Sequence, residues 1–245
     1  MEERLQKLLR DKLGISRRNA EVFIAEGKVT VNGKIAKLGD KAKLADDIKI
    51  AGKALNPDQK QKHTPKRYFL VYKPVGYTSS TEDAYAERLV TSLVSPKKGL
   101  VIAGRLDVPS EGLVLLTDDG DLVFKLTHPK FEVPKEYEVT ISGHISLEGL
   151  QQLTKGIRDE GEFLIMKKVS ILKVERKLTV LKCILTEGKK REIRRMMNAL
   201  GKEVQTLKRV AIGPFRLGNL TPGKSVPLSE KEVRSLMAGF ARNSK

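Results

Sequence analysis

Several residue types that would point to particular protein classes are scarce in this chain. Cysteine occurs once among 245 residues, which excludes an intramolecular disulfide and gives no support to a cysteine-rich metal site. The three histidines, His63, His128 and His144, lack the spacing of metal ligands. No apolar run approaches the roughly 20 residues of a membrane-spanning helix, and the charged N-terminus lacks the apolar core of a secretion signal. We therefore expect a cytoplasmic protein without a metal, in which Cys183 is a small buried side chain.

Acidic residues are too few to balance the basic ones. The chain has 47 Lys and Arg against 30 Asp and Glu, a formal net charge of +17. Residues 1–66 hold 16 basic and 9 acidic side chains, a net of +7, and the rest hold 31 and 21, a net of +10. A single basic tail on an anionic membrane does not fit this distribution. Generic basicity is the alternative, but an excess of this size favours nucleic acid as the partner.

The first 55 residues predict a small module of two helices and a hairpin. Leucines at positions 5, 8, 9 and 13 recur at helical spacing, and Gly14 can end that helix. Ser16 can cap a second helix that ends near Gly27, and Asn32-Gly33 is typical of a hairpin turn. This order resembles the alpha-L RNA-binding domain named after ribosomal protein S-four. The resemblance implies phosphate contacts from Arg17, Arg18 and Lys28, with a merely solvated basic face as the alternative.

The rest of the chain predicts an α+β fold. Residues 56–66 hold two prolines and nothing apolar, as a linker would, so the predicted domains are 1–55 and 67–240, with a tail at 241–245. Strands are expected in RYFLVYK, LVIAGRLD, GLVLLT, KEYEVTIS, FLIMKKVSILKVE and KLTVLKCIL, and helices in ERLVTSLV, SLEGLQQLTK and SEKEVRSLM. Because no strict strand-helix-strand repeat appears, a mixed, largely antiparallel sheet with flanking helices is expected.

Asp107 is an unusual residue to find directly after the apolar run LVIAGRL. At the end of a strand, its carboxylate would be anchored by the sheet on one side and open to a cleft on the other. Aspartate is also common at strand-to-turn junctions for purely structural reasons. The flanking residues favour a functional role, because Gly104 and Gly112 permit close backbone approach and Arg105 stands two positions before the acid.

This segment resembles the active-site signature of the pseudouridine synthases, in the branch that includes RsuA and RluB. The resemblance is carried by Gly104-Arg105-Leu106-Asp107, Ser110, Gly112 and Leu115-Leu116-Thr117-Asp118-Asp119-Gly120. Further motifs are similar at Lys73-Pro74-x-Gly76, Lys135-Glu136-Tyr137 and Glu187-Gly188-Lys189-x-Arg191-x-Ile193-Arg194-Arg195-Met196. Ser110 replaces a usual threonine and Glu192 a common glutamine. The family implies an enzyme that isomerises a uridine of ribosomal RNA without a cofactor.

The resemblance implies three catalytic residues. Asp107 would stabilise, or react with, the ribose carbon as its bond to nitrogen breaks, by attack on that carbon or by removal of the neighbouring ribose proton. Arg194 would keep Asp107 ionised in a partly buried site. Helical spacing supports this role, because it puts Arg194 opposite an apolar helix face. Tyr137 would stack on the uracil and present its phenolic oxygen near the carbon that loses a proton.

The same resemblance implies contacts with RNA. Arg105 would occupy the space left by a flipped uridine, unless it pairs with Asp118 or Asp119. Backbone contacts are expected from Lys73, Lys189, Lys190, Arg191, Arg195, Lys208 and Arg209. The partner would be ribosomal RNA or a pre-ribosomal particle, bound by a monomer. A non-catalytic ribosome-assembly factor and a hydrolase that releases uracil remain open as alternatives.

Overall fold

The computed structural model describes residues 2–13, 17–54 and 65–243. The chain divides into two compact units, Met1–Pro65 and Lys66–Lys245, and each has a hydrophobic core of its own. Residues 56–64 of the expected linker, and the expected caps Gly14 and Ser16, lie outside the described residues. None of the helices in the described part of the chain is long and apolar enough to span a membrane.

The first unit contains the expected helix pair and hairpin. Its elements are β1 Glu3–Arg4, α1 Leu5–Leu13, α2 Arg17–Ala25, β2 Val29–Val31, β3 Lys34–Ile35, β4 Lys41–Ala42, β5 Ile48–Ile50 and β6 Lys53–Ala54. The hairpin of β2 and β3 turns at Asn32 and Gly33, which adopt positive φ values of 50° and 78°. Leu5, Leu8 and Leu9 of α1 pack with three apolar residues in the core, Ala20, Ile24 and Val29, so burial of this stripe holds the unit together.

The second unit begins at strand β7 and ends with a helix. Its elements are β7 Tyr68–Lys73, β8 Val101–Ala103, β9 Glu111–Thr117, α3 Gly120–Thr127, β10 Lys135–Ser142, α4 Leu147–Lys155, β11 Ile157–Asp159, β12 Glu162–Leu164, β13 Lys168–Val174, β14 Leu178–Leu185, α5 Glu192–Ala199, β15 Val204–Ile212, β16 Phe215–Arg216, β17 Ser225–Leu228 and α6 Glu230–Asn243. The expected cap of α6 is formed reciprocally, because the backbone nitrogens of Ser229 and Glu232 each donate to the other's side chain.

The α+β fold with a mixed, largely antiparallel sheet is confirmed. In the described part of the chain nine strands form one sheet in the order β13-β14-β10-β15-β9-β7-β17, with β8 paired to β9 and β16 to β15. Neighbours are antiparallel except β9 and β15, which run parallel. Alternating burial along β14 puts Cys183 in the core, where burial raises the pKa of its thiol to about 12. The expectation of a small buried cysteine is therefore also confirmed.

Strand β9 is the place where the sheet forks. One edge of β9 pairs with β7 along its length. The other pairs with β15 only at Glu111 and Gly112 and with β8 only from Leu115 onward. The fork leaves the Leu113 carbonyl without a strand partner, and the buried Arg209 guanidinium donates to it at 2.8 Å. The chain between β8 and β9, which carries Asp107, leaves the sheet beside this fork.

Two helix predictions differ from the structure. The stretch ERLVTSLV is not an α-helix but contains a short 3₁₀ turn, Val90–Leu93. Its backbone is used in tertiary pairing, because Thr78 donates to the Arg88 carbonyl and accepts from Val90. Helix α3 was not anticipated, although Asp119 caps it by accepting from two backbone nitrogens. The last helix extends to Asn243, three residues into the expected tail.

Replacement of Gly112 by alanine should strongly destabilise the second unit. Gly112 has φ of +108°, and an added Cβ would lie 2.3 Å from the backbone oxygen of Arg209 on the adjacent parallel strand. Because backbone cannot move aside as a flexible side chain can, we expect the free energy of unfolding in urea to fall by about 3 kcal/mol or more. Gly239→Ala is the matched control, because Gly239 lies in α6 with open space around its Cβ position. This variant should gain up to about 1 kcal/mol, and equal losses in both would contradict the clash.

Candidate active site

A cleft of about 570 Å³ lies between the segment that precedes β9 and the start of α5. It brings together seven residues singled out from the sequence: Arg105, Asp107, Tyr137, Lys189, Lys190, Arg191 and Arg194. These residues come from three separate parts of the second unit. Apolar walls are added by Leu106, Leu185 and Leu207, each less than a tenth exposed. Leu106 belongs to the signature quoted from the sequence, whereas sequence reasoning missed Leu185 and Leu207, because their alternating pattern is that of ordinary core strands.

Asp107 lies in a loop, not at the end of a strand. Strand β8 ends at Ala103, and the positive φ of Gly104 turns the chain away from the sheet. Asp107 then begins a turn closed by a hydrogen bond from the Ser110 nitrogen to its carbonyl, at 3.0 Å. Its side chain is exposed, so the expectation of partial burial is wrong. A carboxylate in this position is solvated by water until a ligand covers it.

The loop from Gly104 to Ser110 is held by three cationic side chains that bind its backbone carbonyls. At its start, Arg209 donates to the oxygens of Gly104 at 2.5 Å and Arg105 at 3.2 Å. At its end, Lys73 donates to Ser110 O at 2.5 Å and Val108 O at 3.4 Å. Arg194 adds a bond to Pro109 O at 3.0 Å. Charge-assisted bonds at both ends therefore fix the backbone on either side of Asp107.

Lys73 and Arg209 are consequently not available for RNA. Lys73 has no exposed surface and Arg209 is 2 % exposed, so the prediction that they contact phosphates is wrong. Their cationic ends fill positions where loop and sheet carbonyls would otherwise be buried without donors. Burial and, next, the charge of Arg209 lower the pKa of Lys73 to about 8, against the opposing charges of Asp107 and Glu111.

Arg194 faces the cleft from α5 as its spacing predicted, but it does not bind Asp107 directly. Its guanidinium donates to the carbonyls of Val204 at 3.1 Å and Pro109 at 3.0 Å. Among the described residues no ion pair joins it to Asp107, which contradicts the expected close pair. Burial and the charge of Arg191 lower the pKa of Arg194, and Asp107 acts in the opposite direction. The acid and the guanidinium thus attract each other across the cleft without touching.

Tyr137 forms part of the cleft wall. It lies on the buried face of β10, opposite Cys183 on one neighbouring strand and Arg209 on the other. The side chain is 7 % exposed and belongs to the same apolar cluster as Leu185 and Leu207. A rigid ring in this position can stack against a flat ligand that enters between the leucines.

Arg105 is exposed at the edge of the cleft. The alternative, an ion pair with Asp118 or Asp119, is excluded. Asp118 accepts from the side chain and backbone of Arg67, and Asp119 accepts from the Tyr68 hydroxyl at 2.9 Å.

The remaining predicted RNA contacts fall into three groups. Lys190 and Arg191 are exposed and line the cleft. Arg195 is different, because its guanidinium binds Asp159 and Glu162 and its side chain is 13 % exposed, so the expectation of a free phosphate contact there is wrong.

The side chains of the third group have partners within the protein but remain partly exposed. The ammonium of Lys189 pairs with Glu187 at 2.7 Å and that of Lys28 with Glu26 at 2.7 Å. Lys208 lies 5.7 Å from the centre of the Tyr72 ring, outside the cleft. The side chains of Arg17 and Arg18 lie outside the described residues. In the part of the chain that is described, no group of three or more His, Cys, Asp or Glu is arranged to hold a metal ion.

Comparison with known proteins identifies a family for each of the two units. A family model described as RNA pseudouridylate synthase matches residues 67–199, and the S4 domain model matches residues 3–48. A crystal structure titled "Crystal structure of pseudouridylate synthase" is 30% identical with a TM-score of 0.64, and covers 95% of this chain and 99% of its own.

Several related proteins are similar to this chain over nearly their whole lengths. Ribosomal large subunit pseudouridine synthase B of Bacillus subtilis is 37% identical over 246 residues, 96% of each chain. Ribosomal small subunit pseudouridine synthase A of Vibrio parahaemolyticus is 36% identical over 238 residues, 95% of this chain and 99% of the relative. An uncharacterized RNA pseudouridine synthase of Aquifex aeolicus is 39% identical over 240 residues, 95% of each. The chain therefore belongs to the RNA pseudouridine synthases, a family of isomerases, and carries an S4 domain at its N-terminal end.

Proposed function

We propose that this protein converts one uridine of ribosomal RNA to pseudouridine in the cleft beside Asp107. The observation that carries the proposal is a solvated carboxylate at a cleft that has both leucine walls and cationic side chains. The loop that bears the carboxylate is held at both ends, and the charge of Arg194 acts on it through space. A cleft of about 570 Å³ is within the ordinary size range for small-ligand sites. Relatives named for ribosomal subunits support ribosomal RNA as the substrate.

The reaction breaks the bond between N1 of uracil and C1′ of ribose, and forms a bond from C5 of uracil to the same carbon. Asp107 faces the sugar, where positive charge develops as the first bond loosens. Its carboxylate either attacks C1′ or removes the proton from C2′, and the geometry is compatible with both. In each case the base is retained and turns in place. When C5 bonds to C1′, the bond from Asp107 to C1′ breaks or the C2′ proton is returned, C5 then loses its proton, and N1 gains one from water. No atom is oxidised and no group leaves, so the chemistry needs no redox cofactor.

Arg194 and Tyr137 prepare the site for this chemistry. When a nucleotide covers Asp107, water is displaced and the nearby guanidinium holds the carboxylate in its charged form. In this proposal Tyr137 and the leucine walls hold the flat uracil while it turns, and the phenolic oxygen accepts the proton that C5 gives up.

RNA reaches the cleft as a flipped nucleotide. Extracting a base from a stem costs roughly a few kcal/mol. Arg105, exposed at the cleft edge and not bound to Asp118 or Asp119, enters the space that the base leaves. Lys190 and Arg191 bind the backbone next to the flipped nucleotide, and the S4 domain binds another part of the RNA. We further propose that the enzyme acts in the cytoplasm as a monomer, on free ribosomal RNA or on a pre-ribosomal particle.

Asp107→Asn should abolish pseudouridine formation while leaving the fold intact. The amide is nearly isosteric but carries no charge and cannot act as nucleophile or base, so turnover should fall more than about a hundredfold. Because Asp107 is exposed, the free energy of unfolding should change by less than about 0.5 kcal/mol. Primer extension after carbodiimide treatment of ribosomal RNA, from a strain lacking the gene and supplied with each variant, detects the product.

Asp121→Asn is the control, because Asp121 is exposed and does not line the cleft. A carbodiimide-resistant stop that persists with Asp107→Asn would remove Asp107 from the mechanism. A wild-type protein that leaves the RNA unmodified would instead favour a ribosome-assembly factor, and free uracil in the reaction would favour a hydrolase.

Lys190→Ala and Arg191→Ala should each weaken binding of the RNA and reduce its salt dependence. Each neutralised phosphate contributes about one unit to the slope of log K against log salt, so each variant should lose roughly one unit of slope in filter binding. Lys155→Ala removes the same charge from an exposed position outside the cleft and serves as the control. Identical slopes in all three variants would show that the cleft cations do not contact phosphate.

A further inference from the structure

Glu192 is a carboxyl group buried at the first residue of α5. It is 3 % exposed, although glutamate at a helix start normally reaches solvent. Its Oε2 accepts from the backbone nitrogen of Lys189 at 3.0 Å, which closes the turn before the helix. Its Oε1 is buried and receives no hydrogen bond from any described residue. A buried acceptor without a donor is costly, so the protonation state of this group matters for the turn.

A second carboxyl group faces Glu192 across the same turn. Glu187, just after the end of β14, lies close enough for its carboxyl group to hydrogen-bond with that of Glu192 once one of the two carries a proton. Among the described residues one cation binds this pair directly: the Lys189 ammonium contacts Glu187 at 2.7 Å and also donates to Phe163 O at 2.6 Å. From β10, Lys135 acts on both carboxyl groups, but its own ammonium is buried and directed to Thr186 O at 3.4 Å.

Two adjacent carboxyl groups, of which Glu192 is buried and Glu187 partly buried, are stable together when they share one proton. Burial, then hydrogen bonding with Glu187 and the charge of Glu187, raise the pKa of Glu192 to about 8. The Lys189 amide and ammonium oppose this rise. A proton on Glu192 lets it donate to Glu187 while Oε2 still accepts from Lys189. Both oxygens of Glu192 then have hydrogen-bond partners, and the ammonium of Lys189 remains beside Glu187.

We propose that Glu192 is a positioning residue that works as a neutral acid, whose proton, donated to Glu187, closes the 187–192 turn and presents Lys190 and Arg191 to the cleft. Arg191 occupies the strained end of this turn, with φ of +50° immediately before α5. Loss of the proton would put two like charges inside the turn and loosen it. The effect on turnover rests on the proposed function; the effect on the turn does not.

The substitution that tests the proposal is Glu192→Gln, in the full-length protein. A glutamine amide donates to Glu187 as a protonated carboxyl does, but it does not titrate. Glutamine is also the common residue here in the family that the sequence resembles. Glu203→Gln is the matched control, because Glu203 is exposed and outside the cleft.

Stability against pH is the first measurement. A carboxyl whose pKa is raised on folding holds its proton in the folded state when the unfolded chain has released it, so the folded protein loses stability as pH rises. We expect the wild type to lose stability relative to Glu192→Gln between the ordinary pKa of 4.5 and about 8, with no further relative change above that. The Glu203→Gln protein should follow the wild type. Curves for the wild type and Glu192→Gln that stay parallel would overturn the proposal.

The activity ratio between about pH 9 and about pH 6 is the second measurement. Wild-type turnover on ribosomal RNA should fall roughly tenfold more than that of Glu192→Gln, because at one unit above its pKa about nine tenths of the acid is ionised. Lys73 loses charge in the same range, but it is present in both proteins and cancels in the comparison. Equal alkaline losses would overturn the positioning role. If no variant forms pseudouridine, the proposed function fails, while the stability curves still decide the state of Glu192.

Discussion

The binding of buried cations to main-chain carbonyls is the interaction on which the cleft depends. Where β8 and β15 separate along β9, carbonyl groups are left inside the protein with no strand to pair with, and Arg209 supplies the missing donors. Lys73 does the same at the far end of the loop. An unsatisfied buried carbonyl costs about 1–3 kcal/mol. The loop is therefore fixed by the same bonds that make the fork in the sheet stable.

This arrangement separates the charge that holds the loop from the charge that acts on a ligand. Lys73 and Arg209 are enclosed and act on backbone, whereas Asp107 and Arg105 are exposed at the cleft. Arg194 does both, because it binds Pro109 O and still influences Asp107 through space. A solvated acid opposite a partly buried cation is suited to a substrate whose own flat, apolar part displaces water from the acid when it binds.

Much of the fold could be predicted because local patterns and tertiary structure agree. Alternation in β10 and β14, the Asn32-Gly33 turn and the Ser229 cap all reappear in the structure. The prediction of a helix in ERLVTSLV was wrong because the backbone of this segment pairs with Thr78, and helical periodicity does not reveal such a partner. The prediction of phosphate contacts for Lys73 and Arg209 was wrong for a similar reason: nothing in a linear sequence distinguishes a lysine that binds buried carbonyls from one that binds a phosphate.

The Gly104–Ser110 loop is anchored through its main-chain oxygens, and this has an evolutionary consequence. Any amino acid supplies the same carbonyl, so Arg105 and Val108 can be exchanged without loosening either anchor. Selection can therefore alter what the rim of the cleft recognises while the acid keeps its place. A single scaffold of this kind can give rise to enzymes that differ in target and share one chemistry.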